Sequence, residues 1–310
     1  MGDGRRFVIS RDVRQCDGLT PLLFNSVLES AIRSWKQKLC SDHGVALIPD
    51  PDAERLTNIR FADDLLLFAK SMEEAVQMVD FLVEALRGYG LEPNMRKTKL
   101  MSTTVTDNDA TLIETDNGFI ELVPAECVHK YLGRGWSGNL RHRGQAAIGH
   151  RTSCAWAKFR ALQGSLLNRH VGVKLRLALF DGAISASMTY GMETCPLTGQ
   201  QLEQIDVTQR KMLRKMVGWT HYSDESWEQS GRRMKLRLET ALALSPVATW
   251  SHTILGNKHR LMKRLYAGNA PFLTNMAHGW SPVACAHLNG HFAYRPRGRP
   301  RARWYEQLEA

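Results

Sequence analysis

Two adjacent aspartates between two apolar runs constrain this sequence more than any other feature. Residues 58–70 read Asn-Ile-Arg-Phe-Ala-Asp-Asp-Leu-Leu-Leu-Phe-Ala-Lys, with Asp63 and Asp64 at the centre. Apolar runs of strand length around a short polar pair predict a β-hairpin with both carboxylates at its tip. Aspartate is also common in turns for purely local reasons, because its side chain bonds nearby backbone. Paired carboxylates can in addition hold Mg²⁺, which prefers oxygen ligands and serves phosphoryl transfer.

The periodicity of the apolar residues changes along the chain from mixed α/β to all-α. Before the aspartates, the spacing predicts a helix that begins at Pro21, and after them Ser71 and Glu74 predict a capping box that opens a second helix. Asn117-Gly118 predicts a second hairpin, and residues 128–132 a further strand. Later spacing predicts helices over residues 145–167, 173–192, 199–217, 225–243 and 247–266. The fold class expected is therefore α+β, followed by an all-α region.

The net charge of +10 is divided unevenly between the two parts of the chain. Residues 1–140 hold 16 basic and 21 acidic side chains, a net charge of −5. Residues 141–310 hold 25 basic and 10 acidic side chains, a net charge of +15. Such an asymmetry indicates that the second part binds nucleic acid or another anionic surface, with a solvated basic surface as the alternative.

Several classes of protein are excluded by simple patterns. No apolar run approaches the roughly 20 residues that a membrane-spanning helix needs, and the first six residues lack the apolar stretch of a signal peptide. The six cysteines are scattered without a Cys-x-x-Cys pair, so neither a disulfide framework nor a zinc ribbon is indicated. We expect a protein of the nucleus or cytoplasm that is not secreted and has no membrane partner.

The hairpin sequence Phe61-Ala62-Asp63-Asp64 resembles the metal-binding hairpin of reverse transcriptases. Residues 11–25, which precede it, resemble the loop and helix found at that place in the enzymes of non-LTR (LINE-type) retrotransposons. Further stretches that resemble the same family follow in the same order: Gly90-Leu91, Asn94 with Lys97-Thr98, Tyr131-Leu132-Gly133, Tyr190–Thr194 and Leu213-Arg214. The resemblance covers roughly residues 7–220, and its specificity comes from the order of the motifs.

The resemblance implies a domain organisation and a reaction. It implies a partial polymerase palm over residues 1–135 and a helical thumb over 140–220, followed by a helical extension over 221–293 and a basic tail over 294–310. The full enzyme would be an RNA-directed DNA polymerase, a nucleotidyltransferase that uses Mg²⁺ or Mn²⁺. Its partners would be an RNA template, a DNA primer or RNA–DNA duplex, and deoxynucleoside triphosphates.

The resemblance also assigns roles to single residues. Metal would be bound by Asp63 and Asp64, and Lys97 would complete the catalytic set beside the triphosphate. Contacts with the nucleotide and template would come from Arg14, Gln15 and Asn94. The primer grip would be formed by Tyr131, Leu132 and Gly133. The nucleic-acid backbone would be bound by Arg295, Arg297, Arg299 and Arg301.

The tail arginines admit two interpretations. The segment Arg-Gly-Arg-Pro at residues 297–300 is similar to the core of an AT-hook, whose arginines enter the narrow minor groove of A·T-rich DNA. Generic phosphate binding is the other interpretation. In addition, Gly-Arg-Pro-Arg followed by Arg303-Trp304 resembles the ends of retrotransposon polymerases, where the tryptophan packs.

The sequence departs from the family pattern at one catalytic position. The family places a third carboxylate on a strand upstream of the Gln15 motif, and only Asp3 precedes that motif here, in a Gly-rich stretch. The family's fingers are missing as well. We therefore expect a truncated reverse transcriptase that is inactive alone. The alternatives are a non-catalytic nucleic-acid-binding remnant and a chain whose activity needs a partner that supplies the missing palm and fingers.

Overall fold

A computed structural model of the chain describes residues 18–46, 55–103, 112–139 and 142–267. Secondary structure in these ranges is mixed helix and sheet, as the α+β class requires. The described residues fall into two compact units: the first comprises those within Met1–Ser102 and Asp107–Pro124, and the second those within Thr103–Thr106 and Ala125–Ala310. The apolar residues 7–9 predict a short strand, and they lie outside the described residues. The Gln15 loop and the basic tail lie outside them as well.

The first unit is built on two helices that enclose an apolar core. Its elements are α1 (Thr20–Lys38), β1 (Asn58–Phe61), β2 (Asp64–Leu67), α2 (Met72–Gly88), β3 (Lys99–Met101), β4 (Leu112–Thr115) and β5 (Gly118–Val123). Trp35 on α1 is fully buried against α2, and its indole Nε1 donates a hydrogen bond of 2.9 Å to the carbonyl of Met78. This bond satisfies the one polar atom of the indole, so the ring can occupy the core. The helix predicted from Pro21 is confirmed as α1.

Two small sheets accompany these helices. β1 and β2 form an antiparallel pair, and β5 lies between β3, which is parallel to it, and β4, which is antiparallel. The hairpin predicted around Asn117-Gly118 is confirmed, but its turn lies one residue earlier because Gly118 already pairs with Thr115. Gly118 has a φ of +125°, a region that favours glycine, and this requirement fixes the place of the turn.

The capping box predicted at the start of α2 is half present. Ser71 Oγ accepts a hydrogen bond of 3.2 Å from the Glu74 amide. In a full capping box, the Glu74 carboxylate would accept a hydrogen bond from the Ser71 amide. Here the carboxylate instead accepts from the amides of Gly44, at 2.6 Å, and Lys70, at 3.2 Å. The glutamate therefore joins the helix start to the preceding loop, which local sequence could not indicate.

The second unit consists of a hairpin and a group of helices. Its elements are β6 (Val128–Tyr131), β7 (Arg134–Ser137), α3 (Arg143–Ala161), α4 (Gln163–Leu166), α5 (Val173–Leu179), α6 (Ala186–Thr189), α7 (Gly199–Val217), α8 (Trp227–Leu244) and α9 (Trp250–Ala267). Residues 180–185 form a π-helical turn between α5 and α6, and residues 192–194 form a 3₁₀ turn before α7. The core contains Trp250, whose ring stacks on Phe180 with centroids 6.1 Å apart.

Most of the predicted helices in this unit are confirmed, and two differ in detail. Threonine directly before the helix over 199–217 predicts a cap at Thr198, and the cap is present, since the Thr198 Oγ1 accepts from the Gln201 amide at 3.2 Å. The helix predicted over 173–192 is interrupted by the π-helical turn and ends at Thr189, and the one predicted over 145–167 is divided at Leu162. The strand predicted at 128–132 is one arm of a hairpin whose second arm, β7, was not predicted.

Strand β7 is explained by a close approach of the backbone. A β-carbon on Gly135 would lie 2.9 Å from Cβ of His150 and 2.9 Å from Cγ1 of Val128. Only glycine lets the strand pack this closely against α3.

No helix among the described residues has the length and apolarity that a membrane crossing requires.

Candidate functional site

The predicted carboxylate hairpin is present in the first unit. β1 and β2 pair from Asn58 with Leu67 to Phe61 with Asp64, so the connecting turn contains only Ala62 and Asp63. Both aspartates are exposed to solvent, and neither carboxylate has a hydrogen-bond or ion-pair partner among the residues that the structure describes. Two adjacent, unpaired carboxylates at a rigid tip are free to bind a cation.

The hairpin tip has an unusual backbone at its first turn residue. Ala62 has a φ of +52°, in the left-handed region where residues other than glycine are uncommon. The conformation costs about 1–2 kcal/mol relative to the right-handed region. Because Ala62 does not prefer this conformation, the pairing of the flanking strands determines the position of Asp63.

Ion pairs and apolar contacts hold the base of the hairpin on the first unit. Arg60 of β1 donates to the Glu29 carboxylate of α1, and Arg33 Nε donates to the same group at 2.8 Å. The hydrogen bonds from Arg33 and then Arg60 lower the pKa of Glu29. On β2, Leu65 and Leu67 pack against the apolar core between α1 and α2. The tip therefore projects from a fixed base.

The donor type of this tip suits Mg²⁺ or Mn²⁺, and the number of donors is small. Hard divalent cations prefer carboxylate oxygens, which Asp63 and Asp64 both supply. Within the described ranges, no group of three or more His, Cys, Asp or Glu side chains lies in an arrangement that could hold a metal ion. The pair fits part of a metal site and needs ligands from elsewhere.

Asn94 and Lys97 lie together in the turn that precedes β3. The Asn94 side-chain Oδ1 accepts from the Lys97 amide at 3.3 Å, and the Asn94 carbonyl accepts from the amides of Lys97 and Thr98 at 3.0 and 3.1 Å. The structure thus gives Asn94 a part in shaping the turn. The Lys97 side chain is exposed and has no acidic partner among the described residues, so its ammonium group can reach an anion.

The turn Leu132-Gly133 connects β6 to β7 in the second unit. Leu132 has a φ of +46° and Gly133 of +76°, and the strands close at the pair Tyr131 and Arg134. Two central residues with positive φ define a type I′ turn, whose twist matches that of a hairpin. The predicted primer-grip residues therefore form the tip of a tight hairpin.

Three side chains that the sequence did not assign to a site hold this tip. His150 on α3 lies 3.1 Å from the Gly133 carbonyl, and Tyr190 donates to the Leu132 carbonyl at 3.5 Å. Arg151 stacks over the Tyr190 ring, 4.9 Å from its centroid, and donates to the Ser187 carbonyl at 3.2 Å. The Tyr190 motif is visible in the sequence, whereas nothing in the helical pattern of α3 distinguishes His150 and Arg151.

Comparison with known proteins shows which family part of the chain matches. Residues 2–134 match the reverse transcriptase (RNA-dependent DNA polymerase) family. A transposon-derived protein of Caenorhabditis elegans is 28% identical over 169 residues, which are 54% of this chain and 59% of that protein. The Pol polyproteins of R2 retrotransposable elements from Nasonia vitripennis and Drosophila melanogaster are 31% and 34% identical over 117 and 100 residues. These matches cover 37% and 31% of this chain, and 11% and 9% of the polyproteins.

The family match and the hairpin geometry together define the class of protein. Residues 2–134 are a segment of a reverse transcriptase domain. The similar polyproteins come from retrotransposable elements, which agrees with the non-LTR retrotransposon type that the order of the motifs indicates. The chain spans less than two thirds of the length of each of these relatives. Of the residues assigned to a site, Arg14, Gln15 and the tail arginines 295, 297, 299 and 301 lie outside the described residues.

Proposed function

We propose that the chain is the later part of a polymerase palm joined to its thumb, from an RNA-directed DNA polymerase of a non-LTR element. The first unit corresponds to the palm, and the helices of the second unit correspond to the thumb and an extension. The observation that carries this proposal is the exposed pair Asp63 and Asp64 at the tip of a two-residue turn, inside the segment that matches the family.

Each part of the proposed site contributes charge or position. Asp63 and Asp64 hold Mg²⁺ or Mn²⁺, which when bound activates the primer hydroxyl and stabilises charge on the triphosphate. Lys97, whose ammonium group has no acidic partner among the described residues, contacts the triphosphate of the incoming nucleotide. Asn94 keeps Lys97 in place through the turn it shapes. Arg14 and Gln15 contact the nucleotide and template.

The second unit supplies the proposed contacts with the duplex. The turn of Tyr131, Leu132 and Gly133 positions the primer end, and the bonds from His150 and Tyr190 keep it rigid. The excess of basic residues after residue 140 attracts the phosphates of an RNA–DNA duplex, and counterion release makes that binding depend on salt. The arginines at 295, 297, 299 and 301 add phosphate contacts beyond the helices.

In our proposal, these 310 residues by themselves do not extend a primer. Two carboxylates at one tip are too few to fix two metal ions, and the third carboxylate of the family pattern has no counterpart upstream of Gln15 other than Asp3. A polypeptide that also carries the missing strand, in the same chain or in a partner, would complete the site. The second candidate function, non-catalytic nucleic-acid binding, rests on the net charge of +15 after residue 140.

Binding of a labelled RNA–DNA duplex by the full chain tests the nucleic-acid part of this proposal. Fluorescence anisotropy at several salt concentrations should show binding whose affinity falls steeply as salt rises. Replacing arginines 295, 297, 299 and 301 with glutamine should flatten the salt slope by up to about 0.9 for each phosphate that the chain no longer neutralises. Binding that is absent at low salt, or that does not change with salt, would contradict the proposal.

A further inference from the structure

A basic cavity lies at the C-terminal end of α7 in the second unit. Its volume is about 360 Å³, and it is lined by Lys211, Arg214, Lys215, Gly218 and Trp219. The helical spacing places Arg214 and Lys215, which are consecutive, one turn after Lys211 on the same side of the helix, and all three are exposed. The last carbonyls of a helix carry partial negative charge, which stabilises cations at this end.

The cations of this cavity are not neutralised by nearby carboxylates. Neither Lys211, Arg214 nor Lys215 forms an ion pair within the part of the chain that the structure describes. Arg210, one residue before them on the same helix, does pair with Glu203. The helix thus has one neutralised arginine and, beside it, a cluster whose positive charge is available to an anion.

An aromatic ring lies among these cations. Gly218 ends α7 with a φ of +84°, a conformation that favours glycine, and the chain turns there. The turn places Trp219 under Arg214, whose guanidinium carbon is 5.7 Å from the ring centroid. The indole keeps 42% of its surface exposed. A large aromatic ring is therefore available to solvent beside three cations that form no ion pair with the described residues.

A fourth cation lies at the edge of the cavity, on a loop that a second arginine ties down. Arg169 Nη2 lies 3.8 Å from the position that a β-carbon on Gly218 would take. Its loop is tied to α7 by Arg176, which donates to the carbonyl of Val171 at 2.9 Å and to that of Met216 at 2.8 Å. Arg176 also donates to the Leu166 carbonyl at 3.3 Å. These bonds fix the loop against the end of the helix, so the cavity is preformed.

We propose that this cavity binds single-stranded nucleic acid. One base stacks on Trp219, and the flanking phosphates contact Lys211, Arg214, Lys215 and Arg169. Aromatic rings bind unpaired bases by stacking, with little dependence on sequence. A duplex keeps its bases stacked inside and offers this cavity only its backbone, so the exposed ring distinguishes the single strand. The proposal rests on the proposed nucleic-acid function and adds a second binding mode to it.

The test compares single-stranded and duplex binding by the full chain. Labelled oligouridine and oligothymidine of about 12 nucleotides, within the usual site size for such strands, and an RNA–DNA duplex are titrated by fluorescence anisotropy. Trp219→Ala should weaken binding of a single strand by about 5- to 100-fold, the usual effect of removing one stacked base. Trp219→Phe should retain most of the affinity. Duplex binding should change less than about twofold in both variants, because no stacked base is involved.

Matched controls separate stacking from a general loss of aromatic surface. Trp227 is 73% exposed, but its ring already stacks on His221 at 4.2 Å and lies outside the cavity, so Trp227→Ala should leave single-strand binding unchanged. The double variant Lys211→Gln and Lys215→Gln should reduce the salt slope for a single strand by about 1.4. Because these residues are exposed, the variants should unfold at the wild-type temperature.

The outcomes distinguish this proposal from the function on which it rests. If Trp219→Ala leaves single-strand affinity unchanged while the duplex binds, the cavity proposal is wrong and the proposed function stands. Equal weakening of single-strand and duplex binding would also overturn it, because a stacking site does not serve a duplex. Failure of every nucleic acid to bind the wild-type chain would overturn both.

Discussion

Lys258 is a lysine whose side chain is buried, and the helical pattern of the sequence does not predict that burial. It lies on α9 with no exposed surface, and its Nζ donates to the Cys195 carbonyl at 3.1 Å. Burial lowers the pKa of this lysine from 10.5 to about 8. Folding therefore disfavours the charged form, and the site destabilises the fold at neutral pH.

The buried lysine predicts a pH dependence of stability with a definite sign. Between pH 8 and 10.5 the unfolded chain still binds the Lys258 proton that the folded chain releases, so the free energy of unfolding rises with pH. We expect a rise of about 2 kcal/mol between about pH 8 and pH 10 that is absent in Lys258→Met. Urea denaturation at the two pH values measures it.

The control for this prediction is Lys263→Met, on the same helix but exposed. This variant should keep the wild-type pH dependence, because an exposed lysine has nearly the same environment in both states. If wild type and Lys258→Met gained the same stability over this pH range, the buried lysine would not be the group responsible.

The site residues differ in how far sequence could predict them. Asp63 and Asp64 could be assigned because two apolar runs of strand length flank them and the turn is local. Asn94 was assigned to the nucleotide by resemblance, and its hydrogen bonds give it a structural part as well. Sequence could not assign His150 and Arg151 to a site, because their contacts are with residues distant in sequence. It could not assign Trp219 either, because the helical pattern does not specify the turn at Gly218 that places this ring.

At the scale of elements, side chains of α7 accept hydrogen bonds from the first amides of α9 and so join the two helices. The Asp206 carboxylate on α7 accepts from the Ser251 amide at 2.9 Å and from the Ser251 hydroxyl at 2.5 Å. Gln209, one turn later, accepts from the Trp250 amide at 3.0 Å and donates to the Ala248 carbonyl at 2.8 Å. The first amides of α9 thus find partners on another helix.

We expect Asp206→Ala to lower the free energy of unfolding by about 2 kcal/mol, because the partly buried Ser251 amide and hydroxyl would have no acceptor. Asp206→Asn keeps an oxygen acceptor of the same shape and should cost about half as much. Urea denaturation at neutral pH compares the two variants with wild type. Equal stability of Asp206→Ala and wild type would show that the contact between the helices does not contribute to stability.

Elements with a strong local signal were predictable, and those fixed by packing were not. The carboxylate hairpin and the Thr198 cap follow from local chemistry, and the long helices follow from apolar spacing, although the residues of the hairpin turns differ by one from those predicted. Strand β7 depends on the contact of Gly135 with α3, and the π-helical turn at 180–185 places Ser185 where its hydroxyl accepts from the Trp250 indole at 2.8 Å. Both depend on residues distant in sequence.

At the scale of the whole molecule, the candidate sites are distributed over the two units. The first unit contains the carboxylate hairpin, and the second contains the Leu132-Gly133 turn and the basic cavity at Trp219. The net charge is −5 before residue 141 and +15 after it, and the second unit includes all of residues 141–310. In our account, the second unit holds nucleic acid and the first supplies part of a metal site.

In our proposal, these 310 residues hold the binding part of a reverse transcriptase and an incomplete catalytic site. Primer extension tests it most directly, with a labelled DNA primer on an RNA template, all four deoxynucleoside triphosphates, and Mg²⁺ or Mn²⁺. An intact reverse transcriptase serves as the positive control. We predict that the purified 310-residue chain adds no more nucleotides than its Asp63→Asn variant. Templated extension by the wild-type chain that Asp63→Asn abolishes would contradict the account.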